Sequence, residues 1–353
     1  MKIKLFLELF CYFFTHLLIF GSNVIIFMVI KMKVTILGSG AYGCALATVL
    51  NNNKHSVTLW TAFEKEAAYL KENLESPKLK GIKLPKELKF TSNFEDTLDS
   101  DLYIIAIPTA FLNNVSKKFK KYYNGNPICI ATKGIEQGSQ RFVYDIIKEN
   151  LNTNALAVIS GPSFAIDIAY KSPVGLTLAS QDKDTIDVIT KALSNNYFKL
   201  RKTNDIIGTE ICGAIKNVIA IASGIIAGMN MTESTKAMFL TESLHDIKSL
   251  IKGLGSDGDT VLTYAGFGDL LLTSTSEKSR NYSLGYLIGS NAPKEEIENY
   301  INNTTIEGLY TLRAINDLVK DKDVDMPIIN LIEEIIYKGK NPKELIKFLI
   351  KKP

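Results

Sequence analysis

The sequence predicts an α/β domain followed by an all-α domain. Three observations carry this. A short β-branched run, Val34-Thr35-Ile36-Leu37, passes directly into Gly38-Ser39-Gly40-Ala41-Tyr42-Gly43 and then into the apolar helical pattern Cys44–Leu50. Further apolar runs of strand length recur as far as Phe198–Lys202. Beyond Gly208 the strand pattern fades and long helical periodicities take over.

Composition bounds the reading. With 353 residues, the chain is long enough for two domains. Hydrophobic residues at 46% and charged residues at 22% exclude a disordered or fibrous protein. The net charge of +4, from 41 basic and 37 acidic residues, is too even to suggest a nucleic-acid partner. Cys11, Cys44, Cys129 and Cys212 form no CxxC pair, so neither a disulfide framework nor a zinc spacing is present, and a reducing compartment is expected. His16, His55 and His245 are too dispersed for a His-based metal site, and no metal is expected.

The first segment departs from this ordinary picture. From Leu5 to Ile30 the chain is almost entirely apolar, with clean runs at Leu9–Phe14 and Val24–Ile30. That is long enough to span a bilayer, which takes about 20 apolar residues. No small-residue cleavage site precedes Lys31, and Lys31-Met32-Lys33-Val34 leads straight into the first strand. Met32 is a natural start, so residues 1–31 are expected to be an extension outside the working protein. A membrane anchor and a cleaved presequence are the alternatives.

Strand, G-x-G-x-x-G and helix in succession is the context a dinucleotide-binding loop requires. Gly38 permits the tight turn, Gly40 lets the backbone approach a pyrophosphate, and Gly43 lets the helix pack on the strand. The helix N-terminus then presents free N–H groups to the phosphates. A second strand follows at Ser56–Trp60. NAD-specific sites usually carry an acid about 20 residues past the glycines. Here Trp60-Thr61-Ala62-Phe63-Glu64-Lys65 places no acid at the strand end and no arginine either, with Lys65 a substitute. The residues lean towards NADP without settling the choice. Further strands are read at Asp101–Pro108, Pro127–Gly134 and Ala155–Ile159. Ligands of an open parallel sheet bind beyond the C-terminal strand ends, where Lys133 and the Gly161–Ser163 turn fall.

In the second half, helices are expected over Gly208–Met229, Thr232–Leu254, Ile306–Asp321 and Pro327–Tyr337. The run from Ile211 to Ile226 is apolar on all faces and reads as a buried helix, with a membrane span as competitor. Lys216 and Asn217 inside it argue against lipid. A lysine in a buried helix needs a partner or loses its charge, one way to make a catalytic group. Asp269, in the Gly-rich turn Ala265–Leu270, is a candidate partner, or else a cap for the following helix. Ser279-Arg280-Asn281 offers the donor set of a phosphate site, or a surface loop.

Taken in order, these segments resemble one family, the bacterial NAD(P)-dependent sn-glycerol-3-phosphate dehydrogenases. The resemblance rests on GSGAYGCALA (Gly38–Ala47), TKGIE (Thr132–Glu136), ISGPSFA (Ile159–Ala165), GAIKNVIAIASG (Gly213–Gly224), AGFGDLLLT (Ala265–Thr273), SRN (Ser279–Asn281), EGL (Glu307–Leu309) and MPI (Met326–Ile328). It runs from Met32 to the C-terminus. It implies a Rossmann-type N-terminal domain over residues 32–207 and a helical substrate and catalytic domain over 208–353, with the active site between them. It also implies reduction of dihydroxyacetone phosphate to sn-glycerol 3-phosphate with NADPH or NADH, in the cytoplasm, feeding phospholipid synthesis. By the same resemblance Lys216 is the acid/base, aided by Asp269, and Lys133 touches substrate and cofactor. Gly161, Ser163, Asp269, Ser279, Arg280 and Asn281 meet the substrate. Gly38, Gly40, Ala41, Tyr42, Gly43, Ala62, Ala165, Arg280, Thr305 and Glu307 meet the cofactor.

The family does not usually carry the extension before Met32. Many members have a basic residue or His where this chain has Ala62, so NADH and NADPH both stay open. A membrane partner follows only if the extension is real, and a homodimer is left open. Other readings are a related dehydrogenase acting on a hydroxy acid or sugar acid, and a membrane-anchored nucleotide sensor. The phosphate-type triplet argues against the first, and Lys216 with that triplet against the second.

Overall fold

The computed structural model of the chain describes residues 17–20, 23–26 and 31–351. In the extension, β1 (Leu17–Phe20) and β2 (Asn23–Ile26) pair antiparallel. The apolar run Leu9–Phe14, and the part of Val24–Ile30 beyond Ile26, lie outside the described residues.

From Lys33 onward strands and helices alternate. The order is β3 (Lys33–Leu37), α1 (Ala41–Asn52), β4 (Ser56–Trp60), α2 (Glu64–Asn73), β5 (Lys89–Thr91), β6 (Leu102–Ile105), α3 (Thr109–Phe119), β7 (Ile128–Ile130), α4 (Val143–Leu151), β8 (Leu156–Ser160), α5 (Ala165–Ala169), β9 (Val174–Ala179), α6 (Lys183–Leu193) and β10 (Phe198–Thr203). The sheet order is β10-β9-β8-β7-β6-β3-β4-β5. The six strands from β8 to β5 are parallel, while β9 runs antiparallel to β8 and carries β10 with it. All residues of β6, β7 and β8 are buried, as strands covered on both faces must be. Cys44, Leu46, Leu50 and Ile189 fill one face with the α1 and α6 side chains. Leu112, Phe119, Val143 and Ile147 of α3 and α4 fill the other. The chain winds one way from β3 to β4 and β5, then returns to the other side at β6. The β3/β6 boundary is therefore the switch point, where doubly wound sheets open a ligand crevice.

The rest of the chain is helical: α7 (Ile206–Gly228), α8 (Glu233–Gly253), a π-turn at Tyr264–Gly268, α9 (Asp269–Ser274), α10 (Arg280–Gly289), α11 (Lys294–Asn303), α12 (Glu307–Val319), α13 (Pro327–Lys338) and α14 (Lys343–Lys351). Asp205 caps α7 by accepting from Gly208 N at 3.0 Å. Within α7 only Ile207 and Lys216 escape burial. Among the described residues α7 is also the one helix long and apolar enough to cross a membrane, and 94% of its most apolar stretch is buried inside the protein. It is the core helix of this half, packed by Phe239, Leu250, Leu284 and Leu312. The close crossing of α10 over α7 depends on glycine, since a Cβ at Gly285 would fall 1.8 Å from Ile221 O.

Candidate active site

The glycine loop has the form the sequence predicts. Gly38 has φ +121°, and a Cβ there would meet Ala106 O at 2.4 Å. A Cβ at Gly43 would meet Gly38 O at 2.0 Å, so α1 rests directly on the loop. Gly40, the N-cap of α1, faces open space, and no side chain caps the helix. The result is an uncapped helix N-terminus behind a glycine cradle, which suits a pyrophosphate. Ala41 and Tyr42 form its first turn.

Two sheet-domain residues meet the helical half beyond β7 and β8. Lys133 follows β7, and Gly161 follows β8 directly. Helix α7 lies against both: a Cβ at Gly213 would come 2.9 Å from Ser160 Oγ and 3.7 Å from Lys133 Cδ. This approach carries Lys216, one turn further on, to the strand ends. Asp269, the first residue of α9, completes the group. Lys216 Nζ donates to Asp269 Oδ1 and Lys133 Nζ to Asp269 Oδ2, both at 2.6 Å. Lys133 Nζ also reaches Gly161 O at 3.4 Å.

The three charges are nearly sealed. The Asp269 side chain is 2% exposed, Lys216 12% and Lys133 19%. Burial lowers the Lys216 pKa to about 8, with Asp269 opposing the fall and Lys133 adding to it. Burial acts upward on the Asp269 carboxyl, but the two lysines more than reverse this and hold it below its ordinary value. The group therefore has one anion, and burial brings the Lys216 pKa down to about 8.

The remaining candidates divide. Ser163 Oγ is 3.1 Å from Tyr42 Oη and donates to Gly161 O at 3.0 Å, so it links the Gly161 turn to the glycine loop. Ala165 opens α5 just behind this turn. Asn281 is turned inward: its Nδ2 donates to Asn217 Oδ1 at 3.0 Å and its Oδ1 accepts from Gly308 N at 2.9 Å. Asn217 Nδ2 in turn donates to Glu307 Oε2 at 3.1 Å. The Ser279 hydroxyl caps α10 by accepting from Tyr282 N at 3.3 Å. Arg280, the next residue, is exposed, as are Thr305 and Ala62. Ala62 lies beyond β4, across the switch point from the lysines.

Three polar residues escape the sequence reading as site members. Asn217 links the second network to Lys216 through the chain itself. Its signal was present, as an amide beside a lysine in an otherwise apolar helix. Thr273 Oγ1 is buried 3.5 Å from Asp269 Oδ1. Glu210, one face of α7 away, is buried and accepts from Tyr144 N of α4 at 2.9 Å. Thr273 meets Asp269 four residues away on the same helix, and Glu210 is brought to Tyr144 only by the packing of α7 against α4.

Both parts of the chain match known proteins. The family model described as NAD-dependent glycerol-3-phosphate dehydrogenase N-terminus matches residues 33–186, and that described as the C-terminus matches 205–347. Together they leave residues 1–32 unmatched. The chain is 33% identical over 324 residues to a glycerol-3-phosphate dehydrogenase [NAD(P)+] of Staphylococcus haemolyticus, covering 90% of this chain and 97% of that one. A protein of the same description from Fusobacterium nucleatum is 33% identical, with 90% and 96% covered. Among solved structures, glycerol-3-phosphate dehydrogenase from Coxiella burnetii superposes with a TM-score of 0.82 at 29% identity, covering 91% of this chain and 99% of that one.

Proposed function

The chain belongs to the NAD-dependent glycerol-3-phosphate dehydrogenase family, and on that premise we propose how its residues divide the labour of the reaction. That reaction is the NAD(P)H-dependent reduction of dihydroxyacetone phosphate to sn-glycerol 3-phosphate. Residues 32–207 act as the dinucleotide-binding domain and 208–353 as the helical substrate and catalytic domain. The observation that carries the assignment is the buried Lys133–Asp269–Lys216 group, built from both halves at the ends of the parallel strands.

The Gly38–Gly43 loop and the first turn of α1 hold the cofactor pyrophosphate, with Tyr42, Ala62, Ala165, Thr305 and Glu307 along the same crevice. Bound there, the dinucleotide supplies the hydride for the substrate C2 carbonyl. Lys216, as ammonium, hydrogen-bonds the carbonyl oxygen and gives it a proton as negative charge grows. General acid help of this kind is worth about 10²–10⁴-fold. Asp269 keeps its own proton off, orients Lys216 and keeps it charged. Lys133 is the second cation, within reach of both substrate and cofactor. With one anion between two cations, the group carries an excess positive charge in a nearly dry site, which stabilises an oxyanion more than a neutral ketone.

Arg280 serves the substrate phosphate, because a guanidinium binds it through a bidentate fork and its side chain is open at the N-terminus of α10. Ser279 and Asn281 border that site. The Asn281 amide is shared with Asn217 and Gly308, so it also fixes the wall behind Lys216. Gly161 and Ser163 close the opposite side. A cytoplasmic location is part of the same proposal, supported by the free, buried thiols of Cys44, Cys129 and Cys212.

The test is the oxidation of NADH or NADPH by the full chain, with dihydroxyacetone phosphate and with unphosphorylated dihydroxyacetone. Turnover is expected with the phosphorylated ketone, and a kcat/KM lower by roughly a hundredfold or more without the phosphate, the scale of a lost charged contact. Equal use of both ketones would remove the phosphate site.

A further inference from the structure

The end of β4 carries an acid that the linear sequence hides. Trp60 closes the strand, and Thr61 after it is buried. Gly38 N donates to Trp60 O at 2.9 Å, so the glycine loop and this strand end are tied together. Glu66, in the first turn of α2, folds back into that corner. Its Oε2 accepts from Thr61 Oγ1 at 2.8 Å and its Oε1 from Lys78 Nζ at 2.7 Å. Ser39, in the middle of the Gly38-Ser39-Gly40 turn, faces the same carboxylate. Burial acts upward on the Glu66 carboxyl, but Lys78, Thr61 and Ser39 more than reverse this, so it stays ionised. Its side chain keeps 19% of its surface open.

We propose that Glu66 reads the adenosine ribose of the cofactor and makes this chain prefer NADH to NADPH. The proposal rests on the dehydrogenase reading above and deepens it. A carboxylate between a glycine loop and the next strand end is placed to accept from a ribose 2′-hydroxyl. A 2′-phosphate would instead bring about −1.5 to −2 charges against it. The corner offers little to offset that repulsion. Thr61 already spends its hydroxyl proton on Glu66, and Ala62 has no donor in its side chain. Lys78, the cation paired at this corner, is engaged by Glu66. The acid that selects NAD is therefore present, delivered from a helix instead of the strand end.

The test is calorimetric titration of the full chain with NADH, NADPH, 5′-AMP and adenosine 2′,5′-diphosphate. The last two differ only in the group at issue and involve no turnover. The wild type should bind NADH at least about tenfold tighter than NADPH, and 5′-AMP tighter than its 2′-phosphorylated analogue, as for one charged contact. Glu66→Gln removes the charge and releases Lys78. It should narrow both ratios by about tenfold, mainly by strengthening the 2′-phosphorylated ligands. Equal or tighter NADPH binding by the wild type would overturn the proposal, even if the variant failed to fold. So would a Glu66→Gln protein, folded by circular dichroism, whose ratios do not change. Either result, with turnover of dihydroxyacetone phosphate intact, leaves the dehydrogenase reading standing. Loss of all dinucleotide binding and turnover in the wild type would instead sink that reading.

Discussion

Lys216 on α7 and Asp269 on α9 meet at 2.6 Å in a site where the carboxylate is 2% exposed, and the second carboxylate oxygen takes Lys133 from the sheet domain at the same distance. One anion thus holds two cations from two halves of the chain. The charge group is therefore built across the contact between the sheet and the helical half.

If Lys216 is the proton donor, Lys216→Met should lower kcat by about 10²–10⁴-fold. NADH affinity, which depends on the glycine loop, should stay within roughly twofold. Single-turnover kinetics with a separate fluorescence titration of NADH measures both. Near-normal turnover would remove Lys216 from the chemistry.

The lowered pKa of Lys216 gives the two directions of reaction opposite pH profiles. Reduction needs the ammonium, so its kcat should fall as pH rises through about 8. Oxidation of sn-glycerol 3-phosphate needs the free amine and should rise through the same region. Initial rates in both directions between pH 6 and 10 (roughly the span either side of this pKa) check the crossing. A profile flat in both directions would contradict it.

Asp269→Asn keeps the shape of the site and removes its anion. Asp269 is the group that holds the Lys216 pKa up, and Lys133 pushes it down. The variant should therefore shift the reduction limb to lower pH, as well as lose activity at pH 7. Breaking a buried ion group by removing one partner also costs about 3–5 kcal/mol, so the melting temperature should drop. An unmoved pH limb would show that Asp269 has only a structural role.

Much of this site was legible before folding. The glycine turn and Lys133 are placed by the rule that loops after parallel strands carry ligands. Lys216 stands out as the one charged residue in the apolar run Ile211–Ile226, and Asp269 is its candidate partner from the Gly-rich turn. The rest was not legible, for identifiable reasons. β5 is three residues long and β9 runs antiparallel to β8, so neither shows the apolar run of a central parallel strand. α10 and α11 are short, and α11 has no buried residue, which erases the periodicity that marks a helix. Glu66 lay past the strand end where an acid is sought, and only the first turn of α2 folds it back. The neighbours of Asn281 in sequence point to a phosphate donor, whereas tertiary packing turns its amide inward to Asn217 and Gly308.

The α7–α10 crossing makes a test of the scaffold independent of chemistry. Gly285→Ala would place a methyl group 1.8 Å from Ile221 O, and backbone on both sides leaves it nowhere to move. Overpacking of this kind costs about 1–3 kcal/mol or more, so the variant should melt markedly lower or fail to fold. Ala substitution at Gly40, where a Cβ meets nothing within 4 Å, should leave the melting temperature nearly unchanged while weakening NADH binding. Thermal melts of the two variants without cofactor separate packing from binding.

Glu210 links the halves a second way, and its ionisation should show in stability. Buried on α7, it accepts from Tyr144 N at the start of α4. Burial raises its pKa from 4.5 to about 8, against the pull of those backbone N–H groups. The sign follows from proton uptake. Between about pH 4.5 and 8 the folded chain holds a proton on Glu210 that the unfolded chain has lost, so this group makes stability fall as pH rises through that window. Lys216 contributes no slope there, because its depressed pKa separates folded from unfolded only above about 8. Glu210→Gln keeps the acceptor for Tyr144 N and removes the titration. Its unfolding free energy should therefore depend less on pH over this window, and by pH 8 it should exceed that of the wild type by an amount on the order of a few kcal/mol. Denaturant melts of both proteins at pH 5, 6.5 and 8 (about the two ends and the middle of the window) decide it. Parallel pH dependences would mean that Glu210 is ionised in the folded chain and that the α7–α4 contact is a charged cap instead of a neutral one.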